Sequence, residues 1–143
     1  MKQKPKKKNT NGELILFRIL DNIIPFEHIN HGYYSFLLTP RGGKMQLDRY
    51  YPGLNLAFEF QGSPHDTYFP EIHGSYEEFE YYQECDKIKK RICRERGITL
   101  IEVKYNHVLS DQSILRDIEK KNGKLYRYII NTNKSIGNEK GIR

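Results

Sequence analysis

A strand–turn–strand pattern occupies the middle of the chain, from Gln46 to Gln61. The second half of this pattern has an apolar residue at every other position: Leu54, Leu56, Phe58 and Phe60. A period of two places these side chains on one face of a strand and Glu59 with Gln61 on the other. Pro52-Gly53 predicts a turn before that strand. The pattern therefore predicts an antiparallel pair that brings Asp48, on the first strand, onto a common patch with Glu59.

Two carboxylates on one patch repel each other unless a cation lies between them. Hard oxygen ligands with room for water suit Mg²⁺, with Mn²⁺ as a substitute. Such ions activate water and phosphate oxygens in phosphoryl chemistry. Asp48 and Glu59 are therefore the predicted metal ligands.

Helical periodicity surrounds these strands. A first helix is predicted from Thr10, where Thr10 and Glu13 fit a capping box, to Pro25. Its predicted core-facing stripe consists of Leu14, Phe17, Leu20, Ile23 and Ile24. The clearest helix is predicted over 77–96, ended by Gly97, and another begins at Ser110 and runs to about Lys121.

The remaining segments complete an α/β pattern. Strands are predicted over 33–39 and, directly after the long helix, over 98–103, which favours a crossover into a mixed sheet. Residues 62–75 are expected to form a loop, and 125–130 fit a helix or a strand equally well. The prediction is one α/β domain over residues 10–131, with a central mixed sheet flanked by helices. A disordered basic arm (residues 1–9) precedes this domain, and a frayed polar tail (132–143) follows it.

Charge and composition narrow the function. Lys and Arg number 24 against 18 Asp and Glu, giving a net charge of +6; this favours a polyanionic partner such as nucleic acid, with simple solubility as the alternative. Cys85 and Cys93 lie too far apart on one helix for a disulfide, which favours a reducing, intracellular compartment. No apolar run is long enough for a membrane span, and the lysine-rich N-terminus has no secretory core.

Five features occur in an order that resembles the PD-(D/E)XK nuclease superfamily, in particular its very-short-patch-repair-like branch with phage-type homing endonucleases. The likeness covers about residues 10–105. Its motif positions are Glu13 on the first helix, Asp48 on a strand, Glu59-Phe60-Gln61, Gly62-Ser63-Pro64-His65, and Asp86 on the long helix.

The resemblance implies a restriction-endonuclease-like core and Mg²⁺-dependent cleavage of DNA phosphodiester bonds in a bacterial or phage-infected cell. The superfamily's usual lysine is replaced by Gln61, so its role would fall to His65, to Lys90 or to the metal alone. Gln61 would orient water, and His65 would be the general base or acid. Asp86 would orient His65 or a second water, and Lys90 would neutralise phosphate charge.

Several alternatives stay open. Three lysines of the N-terminal arm are expected to contact DNA, namely Lys6, Lys7 and Lys8. Arg41 and Lys44 are expected to contact it as well. Because Gln61 stands where the superfamily usually has a lysine, the sequence also fits a non-catalytic DNA-binding module that keeps the nuclease fold. An RNA-processing nuclease is a further alternative, which would differ only in substrate. Homing, restriction-like and junction- or mismatch-nicking activities are not distinguished, and a homodimer is neither required nor excluded.

Overall fold

The computed structural model describes residues 11–62 and 67–139. The helices and strands, in chain order, are α1 (Asn11–Ile23), β1 (Ile29–Leu38), β2 (Lys44–Tyr51), β3 (Leu56–Gln61), α2 (Pro70–His73), α3 (Tyr76–Glu95), β4 (Thr99–Lys104), α4 (Asp111–Lys121) and α5 (Gly123–Glu139). This order confirms the predicted mixed α/β architecture.

The sheet has four strands in the order β1-β2-β3-β4. The first three strands are antiparallel neighbours, whereas β4 pairs with β3 in parallel. Parallel neighbours need a long crossover, and α3 provides it. The predicted crossover into a mixed sheet is therefore confirmed.

Helices cover both faces of the sheet. Residues of α1, α4 and α5 pack with Leu56, Phe58 and Phe60 of β3 on one face. Ala57 packs on the opposite face with the α3 cysteines, Cys85 and Cys93. β3 is consequently buried throughout, and its two polar side chains, Glu59 and Gln61, lie beneath the α3 layer instead of in open solvent.

Burial also sets the chemistry of the cysteines. Both are free thiols, as the spacing predicts, and burial raises the pKa of the Cys93 thiol to about 11. A thiol of that pKa is fully protonated at neutral pH, so Cys93 acts as a small apolar core residue.

Four local predictions are corrected. Leu54 belongs to a 3₁₀ turn (Pro52–Leu54) instead of the strand, because Asn55 adopts a left-handed conformation before β3 starts. Leu14 is exposed, and Leu16 takes its place in the core. The loop after β3 contains the short helix α2. The expected frayed tail from Asn131 is helical to Glu139, and the Asn133 amide donates to the carbonyl of Ile23 at 2.8 Å.

Among the described residues, no helix is both long and apolar enough to cross a bilayer. This agrees with the absence of such a run in the sequence.

Candidate metal centre

Asp48 and Glu59 meet at the point where the β2–β3 ladder ends. The ladder pairs Arg49 with Phe58, which places Asp48 opposite Glu59. There the side chains replace the strand carbonyls as acceptors: the backbone N–H of Asp48 donates to Glu59 Oε2 at 2.8 Å, and the backbone N–H of Phe60 donates to Asp48 Oδ2 at 2.7 Å. Each carboxylate is thus fixed by the neighbouring strand, and the predicted convergence is confirmed.

The cation beside Glu59 in this arrangement is a lysine. Lys89, on α3, forms an ion pair with Glu59 Oε1. Burial alone would lower the pKa of this ammonium, but the Glu59 carboxylate and, more weakly, Asp86 and Asp48 raise it above the ordinary lysine value. Lys89 is therefore charged at neutral pH, and it offsets part of the repulsion between the carboxylates.

The predicted Lys90 contacts a different acid. Its ammonium lies 3.1 Å from Glu102 Oε1, on β4, and is half exposed. The other oxygen of Glu102 accepts a hydrogen bond from the Gln61 amide. Gln61, Glu102 and Lys90 form a polar chain beside Glu59, since Glu59 and Glu102 are register partners on adjacent strands.

A second group of ligand atoms lies around Asp48. Single ligand atoms of Glu13, His31 and Asp48 all lie within 4.8 Å of one another, and His31 Nε2 is 2.8 Å from Glu13 Oε1. Glu13 and Asp48 are both buried. Two carboxylates and an imidazole at this spacing can hold one divalent cation, and the mixed oxygen and nitrogen donors suit Mn²⁺ as well as Mg²⁺.

A glycine lets α1 reach this position. A Cβ built on Gly12 would lie 2.3 Å from Cζ of Phe60, so a side chain there would push the first turn of α1 away from β3. The missing side chain brings Glu13 next to the Asp48–Glu59 pair. Glu13 therefore contributes to the site, whereas its proposed capping partner, Thr10, lies outside the described residues.

His31 occupies a left-handed backbone conformation, with φ of 55°. Asn30 and Gly32, on either side of it, pair with Arg49 and Leu47 of β2 in one register. The ring turns towards α1, with its centroid 5.6 Å from that of Phe17. A left-handed non-glycine residue carries strain that the surrounding structure must compensate, and such strain concentrates at functional sites.

Buried Arg49 secures β2 to α1 behind the site. Its guanidinium donates to Asp21 at 2.7 Å and to Asn30 at 2.9 Å, and it lies 4.4 Å from the centre of the Phe17 ring. With its charge compensated in this way, Arg49 has a structural role, and it fixes Asp48, the preceding residue, relative to Glu13.

The structure thus brings together Glu13, Asp48, Glu59 and Gln61, and it places Asp86 close enough to influence Lys89. Arg41, predicted to contact DNA, is exposed, paired with Glu78 at 2.9 Å and stacked on Tyr81, and its DNA contact stays a prediction. Lys44 is exposed. His65 lies outside the described residues, as do the arm lysines Lys6, Lys7 and Lys8. The roles predicted for these four residues stay predictions.

Three residues at the site were missed from the sequence: His31, Lys89 and Glu102. Like His28, His73 and His107, His31 stands in no motif of the sequence, and only the folded geometry brings it to Glu13 and Asp48. The other three histidines have structural contacts, of which His73 is typical: it is buried and its Nδ1 accepts from the Phe69 N–H at 2.9 Å.

Comparison with known proteins finds viral relatives. The chain is 31% identical over 106 residues to the uncharacterized protein 033L of Invertebrate iridescent virus 3, covering 72% of this chain and 53% of the relative. It is 38% identical over 61 residues to the uncharacterized protein 307L of Invertebrate iridescent virus 6, covering 43% and 31%. The uncharacterized protein 094L of Frog virus 3 is 35% identical over 82 residues, covering 56% and 51%.

The chain therefore spans about half the length, or less, of these curated relatives. No protein-family model matches the chain. No solved structure matches it either.

Proposed function

We propose that this protein is a metal-dependent DNA endonuclease built on a PD-(D/E)XK, restriction-endonuclease-like core. The observation that carries the proposal is the reciprocal contact of Asp48 and Glu59 on adjacent strands, with Glu13 and His31 at the same point. Converging carboxylates that are held by backbone N–H groups form a preorganised site. Because the relatives are viral, an infected cell is the proposed place of action.

Glu13, His31 and Asp48 would hold the cation, Mg²⁺ or Mn²⁺. Such an ion supplies Lewis acidity towards a phosphate oxygen and makes water more acidic. Metal ligation by Glu59 stays a prediction: its oxygens accept from Lys89 and from the Asp48 backbone, and with these contacts it would position Asp48 and keep the Lys89 ammonium in the site. Direct ligation by Glu59 would require Lys89 to move away.

The cationic groups would act on the phosphate. Lys89 carries a raised pKa and is the group best placed to take over the role of the lysine that Gln61 replaces. Lys90 is half exposed beside Glu102, where it can meet a phosphate from solvent. Gln61 donates its amide to Glu102 and retains its side-chain oxygen as an acceptor for water.

Cleavage of DNA in the presence of a divalent cation tests this function. We expect supercoiled plasmid or branched DNA to be nicked or cut with Mg²⁺ or Mn²⁺. Excess EDTA should abolish the reaction, because the ligand set has no substitute for the ion's charge. Single-stranded RNA with the same ions serves as the comparison substrate. The absence of cleavage of every nucleic acid with every divalent ion would contradict the proposal.

The second candidate is a DNA-binding module without catalysis. The Lys89–Glu59 ion pair favours it, because an internal ammonium provides part of the charge compensation that a metal would otherwise give. Metal-independent DNA binding together with an absence of cleavage would select this alternative.

Replacement of His31 by glycine should weaken metal-dependent activity. Glycine adopts φ above zero without strain, so His31→Gly removes the imidazole while preserving the turn in β1. We expect the Mn²⁺ concentration that gives half-maximal cleavage to rise by about 10-fold or more. The corresponding Mg²⁺ concentration should rise less, because Mg²⁺ prefers oxygen ligands.

His28→Gly is the matched control for this change, since the His28 ring donates to the Phe26 carbonyl at 2.8 Å and lies outside the ligand cluster. An unchanged metal dependence in a well-folded His31→Gly protein would remove His31 from the site.

A further inference from the structure

A charged groove lies along the outer edge of the sheet. β4 is the last strand in the sheet order, and its edge, together with the end of α4, forms an open groove of about 560 Å³. The polar groups that line it include Lys104, Asn106, His107, Asp117, Lys120 and Lys121. Most of these groups can donate hydrogen bonds.

The lysines of the groove outnumber its acids. Glu102, which also lines the groove, is paired with Lys90 at 3.1 Å, and the other acid in the lining is Asp117, 3.0 Å from His107. Lys120 and Lys121 are exposed and have no ion pair within residues 11–62 and 67–139. The groove therefore presents uncompensated positive charge to solvent.

This groove adjoins the Glu59–Gln61 side of the candidate metal centre through Glu102. Glu102 accepts from Gln61 and stands opposite Glu59 in the β3–β4 register, so one strand spacing, about 4.8 Å, separates their backbones. A polyanion that has one phosphate at the metal centre would reach the lysines with the adjoining part of its backbone.

We propose that this groove, lined by Lys104, Lys120 and Lys121, binds the phosphate backbone of duplex DNA next to the cleaved bond. The inference rests on the proposed nuclease function and deepens it, because it assigns the substrate path to the β4–α4 side. Charged side chains that cover a sheet edge, here from β4 and the end of α4, also discourage edge-to-edge pairing between copies of a protein. The experiment must separate that role from DNA binding.

Charge reversal separates the two roles. Lys120→Glu with Lys121→Glu keeps the edge charged but repels phosphate. We expect its affinity for a short fluorescent DNA duplex, measured in EDTA, to fall at least about 30-fold at 0.15 M salt, with a salt slope lower by about 1.8. Lys120→Arg with Lys121→Arg should bind like wild type. Arg18→Glu with Lys134→Glu makes the same charge change at exposed positions outside the groove. This control variant should lose much less affinity for the duplex than the Lys120/Lys121 reversal.

Each outcome has one meaning. Unchanged affinity and slope in the Lys120/Lys121 reversal, with an unchanged oligomeric state, would overturn the proposed groove. Equal losses in the reversal and in the Arg18/Lys134 control would also overturn it, as would tighter binding to RNA than to duplex DNA. If the groove variants behave as expected but no metal supports cleavage, the groove stands and the nuclease function fails.

Discussion

Asp48→Asn should reduce DNA cleavage at least about 10³-fold, the loss typical when a central electrostatic group is removed from an active site. An asparagine oxygen can still accept the Phe60 N–H that Asp48 accepts at 2.7 Å. The substitution therefore removes the charge while it keeps the strand contact, so stability should change little. Single-turnover rates at saturating metal and chemical denaturation measure the two effects.

Asp111→Asn is the matched control. Asp111 is a half-buried carboxylate that accepts from the Asn22 amide at 2.7 Å, and it lies outside both the metal-binding group and the lysine groove. The Asp111→Asn protein should cleave at a near wild-type rate. Equal cleavage rates for Asp48→Asn and Asp111→Asn would show that the reaction occurs elsewhere.

Lys89→Met should have the largest effect on stability, and it should also abolish cleavage. The lysine side chain is only 13% exposed, and methionine fills a similar volume without the charge. The buried Glu59 carboxylate would lose its cation, and breaking a buried pair from one side costs about 3–5 kcal/mol. The free energy of unfolding from denaturant titration gives the size of this loss.

Lys90→Met provides the comparison one residue away. Its ammonium is half exposed and pairs with Glu102, so its removal should cost at most about 1 kcal/mol. Glu59→Gln added to Lys89→Met should restore much of the lost stability, because the unpaired charge disappears with it. Equal costs for Lys89→Met and Lys90→Met would contradict the buried ion pair.

The strand pair at the site could be predicted because its information is local. Alternation from Leu56 to Gln61, with Pro52-Gly53 before it, defines a hairpin, and a hairpin places Asp48 opposite Glu59. Glu13 needed the additional motif order, since tertiary packing, including the close approach of Gly12 to Phe60, brings α1 to β3.

The choice between Lys89 and Lys90 shows where sequence reasoning reached its limit. An overlooked pattern was present: Cys85, Lys89 and Cys93 are spaced four residues apart, and such residues share one face of a helix. Both cysteines are buried, so the lysine between them points inward. The apolar stripe predicted for this helix runs through Cys85, Ile88 and Ile92, with Lys90 at its margin, and it assigns Lys89 to the basic outer surface.

His31 could not be found from the pattern of the chain. Its ring faces α1 because the backbone at His31 has φ of 55°, and an isolated left-handed residue within a strand leaves no trace in hydrophobic periodicity. From Ile29 to Tyr34 the pairing of β1 with β2 keeps one register on both sides of His31. Packing against α1 determines this conformation, and that packing is a property of the folded chain.

Diffraction from crystals soaked in Mn²⁺, recorded near the manganese absorption edge, tests the metal centre most directly. The geometry predicts one anomalous peak among Glu13, His31 and Asp48, whose ligand atoms lie within 4.8 Å of one another, and its loss in Asp48→Asn. A peak placed elsewhere, or one that persists undiminished in Asp48→Asn, would contradict the assignment of this cluster as the metal site.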